Sequence, residues 1–404
     1  MPTKRDGQRW ILDALLNVGG YDVLHPGIYP VFVQFGYDVA DLDRVFDGVQ
    51  ASLMVRDRFG AVGGDLERKA DYWAARGFTA TATNLYLRAA LIYGRAFYSY
   101  YSDDPRRVRY QNCTVRCFNK VIETSPHPVE RVELPFQDKT LYGLFESPSG
   151  GLNRPCVIML PGMDMFKEDW HNVIANRIIP RGWNAFALDG PGQGESLTNG
   201  LKVSVNNYEE AVATVIDWLS ARPEVNAGQI VAMGVSMGSY WGTRTAAKEP
   251  RLKAVATSMS CYGSKQIIFN IAQTNFKTNF MFMAGYTDED EFDQLAAEMI
   301  NDDLYPQITC PTLMVTGEYD ELTTLDDTLA AYDTITAPKE LWVYGHEFHP
   351  IGPVAAEWLN ASLEWLAEAL AGNIKPGHDR KLYITRSGEY QEGSGEPASW
   401  RPRE

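Results

Sequence analysis

Residues 229–249 read "QIVAMGVSMGSYWGTRTAAKE", and how this stretch is read decides the fold. "QIVAM" is a short continuous apolar run, "SYWGTRTAAKE" has helical texture, and Ser236 falls between them with Gly234 and Gly238 two residues to either side. A strand that reverses abruptly into a helix crowds its neighbours and strains the serine's own backbone, so small residues at those two flanks have a physical reason. The pattern G-x-S-x-G is common by chance. Set between a buried strand and a helix, it predicts a nucleophile elbow.

Working outward, similar apolar runs recur as "CVIMLPG" (156–162), "WNAFALDG" (183–190), "LKAVATSM" (252–259), "TLMVTG" (312–317) and "KELWVYG" (339–345). Helical segments such as "NNYEEAVATVIDWLSA" (206–221) separate them, which predicts a parallel sheet covered on both faces. "VERVELPF" and "KTLYGLFES" alternate like a hairpin and give the sheet an antiparallel start. Before "SPHPVE" (125–130), from about Leu42 to Val121, apolar residues sit at helical spacing instead. The expected organisation is an α-helical lid and dimerisation domain over residues 1–125, a catalytic α/β domain over 126–374 with a lid insertion around 261–308, and a polar Gly- and Pro-rich arm over 375–404.

The 404 residues are 45% hydrophobic and 22% charged, with a formal net charge of -15. That balance disfavours a nucleic-acid or anionic-membrane partner, since either would need a basic face. No apolar segment reaches the length of a membrane span and none follows the basic start, so the reading is cytoplasmic. Five scattered cysteines, Cys113, Cys117, Cys156, Cys261 and Cys310, do not read as a disulfide framework or a zinc site.

A serine nucleophile needs a base and a carboxylate to orient that base. Asp320 lies in "EYDELTT" just after "TLMVTG", and His346 opens "HEFHPIG" just after "KELWVYG". The order Ser236, Asp320, His346 is that of an α/β-hydrolase triad. His349 competes with His346, which is favoured because it sits nearer the strand end. Glu318, Glu321 and Asp326 compete with Asp320. The H-x-x-H spacing lacks a following carboxylate, and no metal is expected. His25, His127, His171 and His378 read as structural or exposed. The oxyanion donors expected are the backbone N–H groups of Met237, opening the helix, and of Met163, in the turn after "CVIMLPG" where Gly162 permits close approach. "LDGPGQGES" (188–196) lacks the lysine and spacing of a phosphate cradle and reads as a turn supporting the serine loop.

"LPGMDMFKEDW", "LDGPGQGES", "GVSMGSYWGTRTAAKEPRLKAV" and "GEYDELTT", with the helical "TATATNLYLRAALIYGRAF", resemble the α/β-hydrolases that carry an N-terminal helical domain, a family that includes 2,6-dihydroxypseudooxynicotine hydrolase and fungal polyketide-shortening hydrolases. The resemblance implies a serine triad on Ser236, Asp320 and His346, a homodimer, no cofactor, and hydrolysis of a carbon–carbon bond beside a ketone under the helical domain. An acidic residue that the nicotine-degrading member uses for its substrate has no counterpart in "YGSKQIIFNIA" (262–272). The insertion carries Phe269, Phe276, Phe280 and Met281, which predicts an aromatic and Met-rich lid over a bulky, largely apolar small molecule. A carboxylesterase or amidase would use the same groups, and a non-catalytic binding protein would not need them.

Overall fold

The computed structural model describes residues 9–20, 25–272 and 274–395. Six helices come first: α1 (Arg9–Gly19), α2 (Ile28–Gln34), α3 (Val39–Phe46), α4 (Ser52–Ala75), α5 (Thr79–Tyr98) and α6 (Pro105–Thr124). Their boundaries follow from local chemistry. Asp38 caps α3 by accepting from the Ala40 N–H, and Asp104 caps α6 by accepting from the Arg106 N–H, with Pro105 at a position where no N–H is needed. Helix α5 is buried on nearly every face of its second half, from Ala89 to Phe97. Gly94 is the point of closest approach: a Cβ there would lie 1.9 Å from Phe166 Cζ, so only glycine lets α5 press on the segment that follows the third strand.

The remainder builds a ten-stranded sheet ordered β1-β2-β4-β3-β5-β6-β7-β8-β9-β10. The strands are β1 (Val129–Phe136), β2 (Lys139–Glu146), β3 (Arg154–Leu160), β4 (Asn184–Asp189), β5 (Val225–Val235), β6 (Val255–Ser258), β7 (Thr312–Gly317), β8 (Lys339–Tyr344), β9 (Asp379–Ile384) and β10 (Tyr390–Glu392). The β1–β2 and β2–β4 pairs are antiparallel, and β4 through β9 are parallel. This is the α/β-hydrolase fold, with its antiparallel start and N-terminal helices.

Alternation within each strand divides the core in two. Val157, Met159, Val231, Met233, Leu313 and Val315 face helix Ala355–Leu370 and the helices α2 to α6. Ile158, Leu160, Ile230, Ala232, Met314 and Leu341 face the other side, towards helices Asn207–Ser220 and Met237–Lys248. With both faces covered, β4, β7 and β8 are buried along their whole length.

One expectation changes here. The C-terminal stretch read as an arm continues the sheet: β9 pairs in parallel with β8, and β10 returns antiparallel to β9. Its final residues, 396–404, lie outside the described residues. The insertion between β6 and β7 forms helices Lys265–Ile271, Thr274–Ala284 and Glu289–Glu298. Its aromatic residues mostly pack on one another: Phe269 lies 4.8 Å from Phe280 and 5.3 Å from Phe292, centroid to centroid, and Met281 is buried. Phe269 and Phe280 pack within the insertion, because three short helices need a core of their own before they can cover anything, and with Met281 they belong to the core cluster that includes Met163 and Met237. All five cysteines are free thiols. Among the described residues no helix is long and apolar enough to cross a membrane.

Candidate active site

Ser236 stands between β5 and helix Met237–Lys248 with φ 54° and ψ −122°, a backbone conformation that side-chain-bearing residues rarely occupy. The flanking glycines are dictated by space. A Cβ on Gly234 would lie 2.2 Å from the Gly238 carbonyl oxygen, and one on Gly238 would lie 2.2 Å from that of Leu160. The strain presents the Ser236 hydroxyl at the carboxyl edge of the sheet, where it remains partly accessible.

The imidazole that meets it belongs to His349. His349 Nε2 is 2.9 Å from Ser236 Oγ, and its Nδ1 is 2.8 Å from Asp320 Oδ2. This corrects the expectation for His346. Directly after β8 the chain turns at Gly345–His346, where His346 takes φ 61° and points to solvent against the ring of Tyr319. Its N–H donates to Glu318 Oε2 at 2.8 Å, and the Tyr319 N–H donates to the Glu347 carbonyl at 2.8 Å. These bonds hold the loop against the end of β7, so that the residue one turn further on, not the one at the strand end, reaches the serine. Asp320 is placed as expected. Its Oδ1 accepts from the Leu322 and Thr323 N–H groups, both at 2.9 Å, which leaves Oδ2 to the imidazole.

Electrostatics suit a base. Burial pulls the His349 pKa down, but the charge and hydrogen bond of Asp320, with Glu321 and Asp164 further off, outweigh it and raise it above the ordinary value. Burial in turn pushes Asp320 up, opposed by His349. Glu321, one of the passed-over carboxylates, accepts the His349 N–H at 2.9 Å and lies 3.4 Å from His25 Nδ1. Burial works against the Glu321 carboxylate, yet these two histidines pull it down to about 2. The ring of His25 stacks on His349 and meets Phe276 of the insertion edge-on at 6.2 Å. Neither role for His25 nor for Glu321 is visible in the sequence, because His25 reaches Glu321 and His349 only through contacts between segments hundreds of residues apart.

Met237 opens its helix, where the first N–H groups have no partner within the helix. Met163 is buried in the turn after β3. A Cβ on Gly162 would lie 3.2 Å from Ser236 Cβ, which sets that turn directly beside the nucleophile. The turn is anchored from below. Gln193 donates from Nε2 to the Gly162 carbonyl at 2.7 Å while its Oε1 accepts from Tyr208 OH at 2.8 Å, so "LDGPGQGES" does support the serine region. Fully buried Lys167 reaches Asp189 and Glu168 at 2.9 Å each and Glu195 at 2.6 Å. Sequence reading missed this cluster; a lysine four residues after Met163 carries no mark of its burial.

A second buried group lies at the joint between α6 and the sheet. His127 Nε2 is 2.7 Å from Glu146 Oε2, and His171 Nδ1 is 3.0 Å from Oε1 of the same carboxylate. The three offer ligand atoms within 4.8 Å of one another, the one such set among the described residues. Both carboxylate oxygens are already engaged by imidazole, so the set is complete as a hydrogen-bonded triad.

Comparison with known proteins agrees with the architecture. The family model described as "Esterase FrsA-like" matches residues 68–283. A 2,6-dihydropseudooxynicotine hydrolase of Paenarthrobacter nicotinovorans is 28% identical over 291 residues, covering 69% of this chain and 77% of that protein. The α/β-hydrolase xenA of Xenoacremonium sinensis is 30% identical over 199 residues, 46% of this chain, and the match spans about half (47%) of its own length. The crystal structure of 2,6-dihydroxy-pseudo-oxynicotine hydrolase superposes with a TM-score of 0.76 at 23% identity, covering 87% of this chain and 99% of that one, which is a likeness of fold.

Proposed function

The chain belongs to the FrsA-like esterase family, and from that premise we propose that this α/β-hydrolase works through a triad of Ser236, His349 and Asp320 on a carbonyl carbon in a bulky aromatic or polyketide-like small molecule. The observation that carries the reading is the unbroken chain of short contacts from Asp320 through His349 to a serine held in a strained elbow.

In the reaction so read, Ser236 Oγ attacks the carbonyl carbon as His349 Nε2 takes its proton. Asp320 keeps the imidazole in the right tautomer and offsets its charge. The oxyanion accepts from the Met237 and Met163 N–H groups. Collapse breaks the bond to the leaving carbon, whose electron pair is stabilised as an enolate and receives the proton from His349. Water, deprotonated by the same imidazole, then attacks the acyl-enzyme and releases a carboxylic acid and free serine.

Ester cleavage follows the same path with an alkoxide leaving group, and the esterase description of the matched family favours it as the second reading. The exposed Trp10, Leu15 and Val18 of α1 support a homodimer through the helical domain. The test is labelling by a fluorophosphonate probe, which should fall on Ser236 and vanish in Ser236→Ala and His349→Ala. Product analysis on paired aryl ketones and esters separates the two readings. Labelling that persists in Ser236→Ala would falsify the triad.

A further inference from the structure

The two proposed oxyanion donors are not held alike. Met237 opens a helix, which fixes its N–H. Met163 sits buried in a turn, and among the described residues its N–H meets no acceptor. Its direction is set by the peptide unit it shares with Gly162. That unit is trans, so its carbonyl and its N–H point opposite ways in one plane, and whatever holds the Gly162 oxygen aims the Met163 N–H.

Two donors hold that oxygen. The Met165 N–H reaches it at 3.2 Å, closing the turn on itself, and Gln193 Nε2 reaches it at 2.7 Å from the loop after β4. The second bond is the shorter and comes from outside the turn. Gln193 is buried, and a carbonyl oxygen can only accept, so the amide nitrogen of Gln193 must face Gly162 and its Oε1 must face Tyr208. There the Tyr208 hydroxyl donates at 2.8 Å. Burial, with the charge of Asp189, pushes that phenol well above its ordinary range, so it stays protonated and remains a donor.

The loop that carries Gln193 is itself anchored. Asp189 Oδ2 accepts the Glu195 N–H at 2.9 Å, its Oδ1 accepts the Lys167 N–H at 2.8 Å, and its carbonyl accepts from Ser196 Oγ at 2.6 Å. Tyr208 lies flat on Trp241 of the helix that follows Ser236, with centroids 3.9 Å apart and planes 3° from parallel. A Cβ on Gly190 would fall 2.3 Å from Tyr208 Cε2, so glycine there admits the ring against the loop. One continuous path therefore runs from the helix that begins at Met237, through Trp241, Tyr208 and Gln193, to the peptide that bears the Met163 N–H.

We propose that Gln193 is a positioning residue for the oxyanion hole: it aims the Met163 N–H and, with Tyr208 donating behind it, polarises the Gly162–Met163 peptide so that this N–H donates more strongly. The proposal rests on Ser236 being the nucleophile and the Met163 N–H a donor to the oxyanion. Hydrogen bonds in such a chain strengthen one another. The gain falls on the transition state, because the substrate oxygen carries little charge until the serine attacks. Gln193 acts through Gly162, and the path through Trp241 keeps both donors in one frame.

The test uses the full-length protein, with turnover of p-nitrophenyl butyrate and inhibition by 2,2,2-trifluoroacetophenone, whose adduct with a serine places an oxyanion in the hole. Gln193→Met, close in length and unable to donate, should lower kcat by about tenfold to a hundredfold and leave KM within about threefold. It should weaken the inhibitor by a comparable factor, since both report the same oxyanion. Tyr208→Phe keeps the stack on Trp241 and removes only the terminal donor. It should lower kcat by about two- to fivefold, and should add nothing further in the Gln193→Met background. An unchanged kcat in Gln193→Met, a loss confined to KM, inhibition that does not weaken as kcat falls, or full additivity of the two substitutions overturns the proposal. If Gln193→Met does not fold, wild-type kcat and inhibition in Tyr208→Phe overturn it instead. Fluorophosphonate labelling of the wild-type protein checks the premise separately. Labelling away from Ser236 removes the triad and this proposal together, whereas labelling of Ser236 with unaltered Gln193→Met kinetics removes this proposal alone.

Discussion

His25 stacks on His349, with ring centroids 5.7 Å apart and planes 20° from parallel. One ring belongs to the segment that leads into α2, the other to the loop after β8. The two are joined a second way, through Glu321, which accepts the His349 N–H and contacts His25 Nδ1. The helical domain thus bears on the back of the proposed base as well as covering it. It enters the site by positioning, at the ring that must keep both Ser236 and Asp320 in reach.

His25→Ala should therefore lower kcat by about tenfold with little change in KM, since it loosens the base and not the pocket. His25→Phe, which restores a stacking face without the contact to Glu321, should recover part of the loss. If both variants change KM alone, His25 belongs to the pocket wall.

Removing His349 should abolish acylation, and removing His346 should not. His349→Ala is expected to lower kcat by several orders of magnitude. His346→Ala, which deletes an exposed ring, should stay within a few-fold of wild type, because the Glu318 contact uses the backbone N–H that alanine retains. Burst kinetics with an activated ester checks the ranking, and equal losses would reopen the assignment.

The acid limb of the activity profile reads the His349 pKa in the free protein, since only the neutral ring accepts the serine proton. That pKa is raised, and Glu321 is one of the charges that raise it. Glu321→Gln keeps an acceptor for the His349 N–H and deletes the charge. The limb in kcat/KM should move to lower pH, by a few tenths to about one pH unit. A limb that stays put or rises would show that Glu321 does not act on the base.

The elbow and the strand order were legible because each rests on local pattern: continuous apolar runs for buried strands, and two glycines where a turn leaves no room for a Cβ. His346 was preferred over His349 on distance from the strand end, a rule that holds only while the chain runs straight. Gly345 was the available signal that it does not. β9 was hidden because "DRKLYI" carries charge at its start and buries alternate residues only, as suits a strand near the edge of the sheet. Phe269 and Phe280 show as apolar bulk in the sequence, which does not reveal that they pack on each other and on Phe292. Lys167, Asp189 and the Glu146 triad had no pattern to find, since buried charges satisfy one another only once the chain has folded.

That Glu146 triad makes a stability prediction. Burial opposes the Glu146 carboxylate, but His171 and His127 hold its pKa below the ordinary 4.5; burial likewise opposes His171, but Glu146 holds it above 6.5. A depressed carboxylate adds stability that is present above pH 4.5 and lost as pH falls through its folded pKa. A raised histidine adds stability that is present below pH 6.5 and lost as pH rises through its folded pKa. Their joint contribution is greatest between those values. Glu146→Gln should cost about 3 kcal/mol there, and less at pH 3.5 or pH 9. Urea unfolding of both proteins at the three pH values measures it, and a cost that does not vary with pH would reject the linkage.

The last prediction concerns how α5 governs the oxyanion turn. With a Cβ at Gly94 falling 1.9 Å from Phe166 Cζ, Gly94→Ala cannot be absorbed by the helix and must displace the ring. The Phe166 backbone N–H is tied to Asp169 Oδ2 at 3.3 Å and is three residues from Met163, so the displacement passes into the turn that offers the oxyanion donor. Overpacking of this kind costs about 1–3 kcal/mol in stability. The activity loss should be larger than that cost explains, and should fall on kcat, because a donor shifted by a fraction of an ångström serves the transition state poorly while leaving the pocket open. Phe166→Leu removes the atoms that clash. Combined with Gly94→Ala it should recover kcat relative to Gly94→Ala alone, with a coupling energy of about 1 kcal/mol or more. Strict additivity of the two substitutions would mean that the Gly94–Phe166 contact does not carry the position of α5 to the Met163 N–H.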